Sequence, residues 1–289
     1  MQDNTRGALL MIGSMACFVV NDACIKAAGQ DLPLFQILVI RSIAASIMIW
    51  MLARAIGALR WDLPGRDWGW IALRSLAEAA AAYFFLTALI NMPIANATAI
   101  LQVLPLSVTL GAALFLNEPI GWRRMLAIAA GFAGMLLIVR PGPDGFSLYS
   151  GYALVAVLCV TARDLAVRKL SSEVPSMTVA LIGSMAVLGF STIMSLTIDW
   201  QPVSFGSGAL IAGASLFIIG GYVFSVWVMR VGEVSFVAPF RYTSLVWALI
   251  VGLIVFGDWP DGLTLLGAGI VVASGVFTLI RTRKLADRG

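Results

Sequence analysis

The sequence contains no histidine, few charged residues and only three cysteines. Histidine is the usual proton carrier near neutral pH and a common metal ligand, so its absence leaves carboxylates as the groups for any proton transfer. All three cysteines lie within apolar runs, where neither a disulfide framework nor a thiolate metal site is expected. They are Cys17, Cys24 and Cys159. We therefore expect no metal site and no cofactor.

Sequence motifs of soluble enzymes are also missing. The chain has no GxxxxGK[ST] run to hold ATP phosphates, no HExxH and no GxSxG. Primary active transport by this chain alone is therefore not expected, nor is an enzyme. An integral membrane enzyme acting on lipid is the alternative, but it needs acid, base or nucleophile groups that converge at one interface. The sequence has no cluster of interfacial acids to supply them.

Apolar residues, by contrast, make up 60% of the 289 positions. A soluble domain of this length could not cover so much apolar surface, so lipid must be its solvent. A helix crosses the bilayer core with about 20 apolar residues, which predicts an all-α integral membrane protein of ten spans. The predicted spans are 7–26, 34–54, 68–90, 94–116, 121–139, 148–167, 177–198, 207–229, 234–256 and 262–280.

Lysine and arginine are distributed unevenly over the predicted loops. With the N-terminus in the cytoplasm, only Lys26 and Arg140 lie on the far side of the membrane. Cytoplasmic loops carry an excess of these residues, so both termini are expected on the cytoplasmic side of a bacterial inner membrane. The net charge of +4 thus reports topology, and we do not interpret it as nucleic-acid binding. The cytoplasmic set is Arg6, Arg54, Arg60, Arg66, Arg123, Arg124, Arg168, Lys169, Arg230, Arg281, Arg283, Lys284 and Arg288.

The chain divides into two halves of similar pattern. A first five-span unit covers residues 1–140, a turn-rich linker covers 141–147, and a second unit covers 148–289. Because five is odd, two similar units must sit in the membrane with opposite orientations, as an inverted repeat. Landmarks recur at a nearly constant spacing between the units, in the pairs Asp22 with Asp164, Gln102 with Arg241, Glu118 with Asp258, and Arg140 with Arg281.

Several stretches of the sequence carry a resemblance to a known family. They are residues 88–100, 116–119, 232–239 and 256–258, together with Asp22, Lys26, Pro33 and Arg41. Through these stretches the whole chain resembles the EamA-type branch of the drug/metabolite transporter superfamily. One departure is Asp258-Trp259-Pro260, where the family motif has glutamate and a different spacing.

The resemblance implies two inverted five-helix repeats around a central cavity, lined by the first, third, fourth, sixth, eighth and ninth helices. It implies a secondary transporter with a small-molecule substrate and membrane lipid around it. Family members export amino acids and other metabolites, and some take up or exchange substrates such as S-adenosylmethionine. We expect amino-acid export by a monomer or homodimer working by alternating access. The alternatives are S-adenosylmethionine, nucleoside-like or cationic drug-like substrates, and a passive channel.

Charged residues deep in the spans are the strongest candidates for a substrate site. A charge near the middle of a membrane helix costs about 2.5 to 3.5 kcal/mol on insertion scales, so it usually faces protein or water. Arg74 and Glu78 share a helix face and can pair, either as a structural bridge or to meet a substrate amine. Arg163 and Asp164 diverge by about 100° and need not pair. Lys26, near a helix end, is expected to extend into water. The deep set is Asp22, Arg41, Arg74, Glu78, Arg163, Asp164 and Arg241.

A polar stripe and several aromatic residues complete the predicted site. Thr98, Gln102, Pro105 and Thr109 form the stripe on the fourth span, with a kink expected at Pro105. Arg241 lies in the matching part of the ninth span and could bind a carboxylate through two hydrogen bonds. The predicted substrate-binding residues are Asp22, Arg74, Glu78, Tyr83, Thr98, Gln102, Arg163, Asp164, Tyr222, Arg241 and Tyr242.

Overall fold

A computed structural model describes residues 2–55, 57, 59–118, 121–140, 147–171, 173–231 and 234–286. Within these ranges the chain is helical, with no strand, and ten helices are long and apolar enough to cross a membrane. They are α1 (Gln2–Ala28), α2 (Leu34–Ala55), α3 (Gly65–Asn91), α4 (Ile94–Leu116), α5 (Trp122–Val139), α6 (Leu148–Val167), α7 (Ser176–Ser195), α8 (Phe205–Val231), α9 (Ala238–Phe256) and α10 (Gly262–Ala286). The prediction of ten membrane helices is confirmed.

The helix α4 is broken near its middle. It consists of Ile94–Leu101 and Leu104–Leu116, and Pro105 lies in the first turn of the second segment. A proline ring clashes with the carbonyl four residues earlier and has no N–H to donate. The break therefore precedes Pro105, at residues 102–103, whereas the sequence places the kink at the proline itself. The Thr109 hydroxyl donates to the Pro105 carbonyl at 2.7 Å.

The helix α9 has a matching irregularity. It opens with a 3-10 turn over Ala238–Tyr242, continues as an α-helix over Thr243–Val251 and ends in a π-helical turn over Gly252–Phe256. Pro239 lies in the first turn and supplies no N–H to it. Irregular turns within a membrane protein are stable only where protein or water reaches the freed backbone groups. The break in α4, where Gln102 and Val103 are buried, and the first turn of α9, where Tyr242 is buried, therefore face the interior of the bundle.

Helices of the first half pack mainly on helices of the second half. α1 lies along α8, α3 along α6, α5 along α10 and α2 along α7. Smaller contacts join α4 with α6, α1 with α9, α3 with α7, α2 with α8 and α4 with α9. Large apolar side chains on the outside of the bundle are left for lipid to cover. Examples are Leu196, Phe205 and Ile254, which are 82%, 95% and 75% exposed.

The helices α5 and α10 approach each other through glycines. A Cβ atom placed on Gly134 would lie 2.8 Å from the Gly267 carbonyl oxygen, and one on Gly267 would lie 2.5 Å from the Gly134 carbonyl oxygen. Only residues without a side chain allow two helix backbones to come this close, which is a common way for membrane helices to associate. These two glycines therefore set the distance between α5 and α10.

Exchange of Gly267 for alanine is expected to destabilise the protein, because its methyl group would meet the Gly134 carbonyl and the Ile138 side chain. We expect a loss of about 1 to 3 kcal/mol, seen as a lower thermal unfolding midpoint in detergent. Gly269→Ala is the matched control on the same helix, where nothing lies within 4 Å of the added carbon. Alanine favours a helix over glycine, so the control should be neutral or stabilising. Equal losses in both variants would contradict the close packing.

The bundle has two ends, which we name after a cation at each. At the Lys26 end, the Lys26 ammonium donates to the Met92 carbonyl just beyond α3 and lies 5.4 Å from the centre of the Phe256 ring at the end of α9. At the Arg168 end, Arg168 directly after α6 pairs with Glu118 just beyond α4. The two ends are the two sides of the membrane that the helices span.

Candidate substrate site

Four charged side chains form a continuous series of ion pairs between α3 and α6. Glu78 binds Arg74 of its own helix at 3.1 Å through one carboxylate oxygen and Arg163 of α6 at 3.2 Å through the other. Arg163 also donates to Asp164 through two nitrogens, each at 2.9 Å. The predicted pair of Arg74 and Glu78 is present, and Arg163 pairs with Asp164 although helix geometry alone does not require it. The four side chains are 15% to 41% exposed, so water reaches them.

Two further charged residues lie beside this series. Asp22 on α1 and Arg41 on α2 are each within electrostatic range of the other, and Arg41 is also within range of Glu78. The Asn21 amide donates to Asp22 at 2.8 Å. The cluster of six charges thus joins four helices, and its three carboxylates balance its three guanidinium groups. We call these six residues the charge cluster: Asp22, Arg41, Arg74, Glu78, Arg163 and Asp164.

Tyr222 on α8 borders the charge cluster. Its hydroxyl is within electrostatic range of Glu78 and of the three arginines of the cluster. Its ring meets the edge of Phe18 on α1, with ring centres 5.5 Å apart and planes at 82°. The side chain is nevertheless 57% exposed. The exposed side of the ring therefore lies next to the charges of the cluster.

The other predicted aromatic and polar residues lie away from the cluster. Tyr83 on α3 stacks on Phe35 of α2, with ring centres 5.6 Å apart and planes only 5° from parallel. It also contacts Tyr152 and Phe190, so it belongs to an aromatic layer that joins α2, α3, α6 and α7. Tyr242 is 6% exposed, and its ring packs against Gly275 of α10. Neither tyrosine is brought to the charge cluster.

The broken segments of α4 and α9 contact each other. The amide of Gln102, at the break in α4, donates to the Ser244 hydroxyl of α9 at 2.5 Å. Ser244 in turn donates to the Arg241 carbonyl at 3.0 Å. Thr98, one turn before Gln102, is buried, whereas the Arg241 side chain is exposed. Gln102 and Thr98 therefore belong to the contact between α4 and α9, and Arg241 makes no salt bridge with any described residue.

Lys26 is buried, which corrects the expectation that its ammonium extends into water. The side chain is only 6% exposed and donates to three backbone carbonyls at the end of α3. The distances are 3.0 Å to Leu89, 3.3 Å to Ile90 and 2.7 Å to Met92. The last carbonyls of a helix have no partner within the helix and carry partial negative charge. They replace water as the partner of the ammonium and hold α1 against α3.

Arg41 is the residue of the cluster that the predicted binding set leaves out. Its depth in the second span is visible in the sequence, but no polar residue at helical spacing accompanies it there. Only the packing of α2 beside α8 brings it near Tyr222 and Asp22. A site residue that is the only polar residue on its helix face cannot be recognised from polar stripes or charged pairs in the sequence.

An apolar cavity of about 460 Å³ lies between α2 and α8. Its walls include Ile40 and Ala44 of α2 and Ile211 and Leu216 of α8. The lining is mainly apolar, and its one hydroxyl, that of Ser215, donates to the Ile211 carbonyl at 2.9 Å. Among the described residues no group of histidine, cysteine, aspartate and glutamate side chains could hold a metal ion.

Comparison with known families decides what this arrangement of helices and charges belongs to. The sequence profile of the EamA-like transporter family matches residues 5–140 and 148–280. The chain belongs to the EamA-like transporter family. As a member of that family it is a membrane transporter, and its ten apolar helices and bacterial relatives identify a multi-pass protein of the bacterial inner membrane.

Relatives of this EamA-like transporter carry chemically different names. A riboflavin transporter of Vibrio cholerae is 30% identical, covering 94% of this chain and 92% of that protein. A pseudopaline exporter of Pseudomonas aeruginosa is 26% identical over 96% of this chain and 97% of its own. An S-adenosylmethionine uptake transporter of Rickettsia conorii is 27% identical over 68% of this chain and 66% of its own. One solved structure aligns with 98% of this chain and 99% of its own at a TM-score of 0.63 and 17% identity, which supports the fold alone.

Proposed function

We propose that this EamA-like protein is a secondary transporter that exports amino acids or closely related zwitterions by alternating access. The observation that carries the proposal is the charge cluster, which holds three carboxylates and three guanidinium groups inside the membrane. Each such charge is costly in a bilayer, and partial exposure of the cluster keeps the charges hydrated. Balanced charges of both signs suit a substrate that carries both an amine and a carboxylate.

Reciprocal hydrogen bonds support two halves in opposite orientations. The Ser207 hydroxyl at the start of α8 donates to Asp31 after α1 at 3.0 Å, at the Lys26 end. The Ser171 hydroxyl after α6 donates to Asp67 at the start of α3 at 2.7 Å, at the Arg168 end. Asp31 and Ser171 are separated by the same length of chain as Asp67 and Ser207, so each pair occupies equivalent positions in the two halves. The same bond thus recurs at opposite ends with its partners exchanged between the halves.

A second pair of bonds follows the same rule. Gln36 of α2 and the backbone of Gln201 bind each other at 2.8 and 3.0 Å. Thr178 of α7 accepts from the backbone of Arg60 at 3.1 Å. Gln36 is equivalent to Thr178 and Gln201 to Arg60, at the spacing that relates the two halves. The helix packing supports the same relation between the halves. When each helix is replaced by its equivalent in the other half, the contact of α1 with α8 becomes the contact of α6 with α3.

The orientation follows from the charged residues of the loops. Most lysines and arginines outside the helices lie towards the Arg168 end, and cytoplasmic loops carry such an excess. We therefore propose that the Arg168 end and both termini are cytoplasmic. The Lys26 end then faces the periplasm.

The bundle is closed at one end more firmly than at the other, which supports access from the cytoplasm. At the Lys26 end α1 packs on α3, held by the Lys26 ammonium and by Gly29 against Ile90. The equivalent helices at the Arg168 end are α6 and α8, and within the described ranges they make no more than marginal contact. We propose that the space beside Tyr222 opens between them, towards the cytoplasm.

The two cations at the ends supply a way to exchange the open and closed sides. Lys26 and Arg168 occupy equivalent positions in the two halves, and so do Glu118 and Asp258, which lie near them. Arg168 binds Glu118 at 2.7 Å, whereas Lys26 binds the end of α3 with Asp258 only within electrostatic range. In the opposite state Lys26 would leave α3 for Asp258, and Arg168 would leave Glu118 for the last carbonyls of α8. Each half then performs the movement of the other.

The relatives bear on the choice of substrate without deciding it. They are named for riboflavin, pseudopaline and S-adenosylmethionine, so one family fold carries substrates of different charge. S-adenosylmethionine contains an amino-acid zwitterion, which makes it the second candidate. A purely cationic substrate would leave the Arg41 guanidinium without a partner, because Arg74 and Arg163 are already paired with Glu78 and Asp164. Amino acids remain the proposed substrates, because they use both signs of the cluster.

Counterflow in proteoliposomes tests the function. Vesicles loaded with a mixture of unlabelled amino acids should accumulate labelled ones with saturable kinetics when they contain the protein. A channel would conduct without transient accumulation. Arg241→Gln should retain most of the flux, since Arg241 contacts no member of the cluster, and empty vesicles give the background. Absence of flux for every amino acid with folded protein would exclude amino acids and direct the same assay to S-adenosylmethionine.

A further inference from the structure

We propose that Asp22 and Arg41 bind the two charged ends of one zwitterionic ligand, Asp22 its ammonium group and Arg41 its carboxylate. The inference rests on the proposed transport function and names the pair of residues that select the substrate class. Neither the series of ion pairs nor the ends of the bundle take part in this selection. Four charges of the cluster are already paired with opposite charges, whereas Asp22 and Arg41 form no salt bridge with any described residue.

The cluster divides into engaged and free charges. Arg74, Glu78, Arg163 and Asp164 are joined by salt bridges of 2.9 to 3.2 Å. Arg41 makes no hydrogen bond or salt bridge with any described side chain, although it is within electrostatic range of Asp22 and Glu78. The two oppositely charged residues are thus near each other without a hydrogen bond or salt bridge between them.

Two free charges of opposite sign on neighbouring helices are a site for a molecule with both signs. The only hydrogen bond that Asp22 makes among the described residues comes from the Asn21 amide, which leaves its other carboxylate oxygen open. A buried or partly buried charge without a partner is unfavourable, and a ligand that supplies the partner recovers that free energy. A ligand with one charge would satisfy one residue and leave the other unpaired. A zwitterion satisfies both and keeps the whole site neutral.

The wall beside this pair indicates the rest of the ligand. Tyr222 presents a half-exposed ring, and Phe18, one turn before Asp22 on α1, supports it edge to face. Aromatic rings offer apolar area and a polar hydroxyl to a bound side chain. The chemical class is therefore a small zwitterion with an apolar or aromatic side chain, held between α1, α2 and α8.

A matched series of three ligands tests the inference on purified protein in detergent. L-Phenylalanine carries both charges, 2-phenylethylamine only the ammonium, and 3-phenylpropionate only the carboxylate, on the same aromatic body. Wild type should bind phenylalanine at least about tenfold more tightly than either analogue, because each analogue loses one hydrogen bond to a charged group. Asp22→Asn should weaken phenylalanine and phenylethylamine and spare phenylpropionate. Arg41→Gln should weaken the binding of phenylalanine and phenylpropionate and leave that of phenylethylamine unchanged. Arg41→Lys should restore part of the lost affinity.

The control is Arg60→Gln, which removes an exposed salt bridge with Glu173 far from the cluster and should leave all three affinities unchanged. Equal weakening of the three ligands by Asp22→Asn and Arg41→Gln would assign the two residues a structural role and overturn the inference. Equal binding of the three ligands by wild type, or of none, would overturn it as well. If the pattern holds and counterflow is absent, the zwitterion site stands and transport fails. If counterflow occurs without the pattern, transport stands and this site fails.

Discussion

Replacing Glu78 with glutamine is expected to abolish counterflow and to destabilise the protein. Glu78 separates two guanidinium groups, with one carboxylate oxygen on Arg74 and the other on Arg163. Without its charge the two cations repel each other inside the membrane. Removal of one partner from a buried ion pair costs about 3 kcal/mol or more, and water around these partly exposed groups keeps the cost near the lower figure. We expect a lower unfolding midpoint and transport at the background of empty vesicles.

The double variant Arg74→Gln with Glu78→Gln separates stability from transport. It removes one charge of each sign, so the local balance returns and the unfolding midpoint should recover most of its loss. Counterflow should stay at background, because Arg163 no longer has a carboxylate on α3 to hold α6 in place. Glu173→Gln is the control for loss of a carboxylate, since its pair with Arg60 is exposed and worth little. Normal transport by Glu78→Gln would remove the charge cluster from the transport path.

Exchange of Lys26 for methionine is expected to open the Lys26 end. Methionine keeps most of the length of the side chain but cannot donate to the carbonyls of Leu89, Ile90 and Met92. Three charge-assisted hydrogen bonds then vanish from the state in which α1 is closed on α3, and loss of a few kcal/mol from one state shifts the two populations by at least about tenfold. Counterflow, which needs both states, should fall by a similar factor.

The partner exchange predicts a smaller effect for the equivalent residue. Arg168→Met removes an exposed pair with Glu118 and should leave the observed state nearly unchanged in stability. Its effect should appear in the rate of counterflow, because Arg168 is needed to close the other end. The expected results are therefore a shift of resting state for Lys26→Met and a slower cycle without that shift for Arg168→Met. Identical behaviour of both variants would contradict the exchange of partners.

The sequence predicts the membrane helices well because their signal is local. Long apolar runs bounded by charges report lipid exposure directly, and each of the ten spans coincides with a helix to within a few residues. Glu78 and Arg74 are also predictable as a pair, since their spacing on one helix suffices to bring them together. No contact with another helix is needed for either conclusion.

The remainder depends on which helices meet, and periodicity does not report that. Lys26 has the sequence of an interfacial lysine, yet the end of α3 supplies carbonyls that bury it. Tyr242 has the sequence of a cavity wall, yet Gly275 on α10 leaves room for its ring there. Arg41 joins the cluster through packing of α2 that no local pattern encodes. Each of these positions is decided by a residue on another helix.

The most direct test of alternating access measures both ends of the bundle in one membrane. In a variant without the three cysteines, spin labels on Gln30 and Asn91 report the Lys26 end, and labels on Lys169 and Trp227 report the Arg168 end. The two distances are measured in lipid bilayers by double electron–electron resonance. Between wild type and Lys26→Met, the distance at one end should change in the opposite direction to the distance at the other end. A longer distance at the Lys26 end should accompany a shorter one at the Arg168 end. Distances that change together, or not at all, would contradict a carrier whose two halves exchange roles.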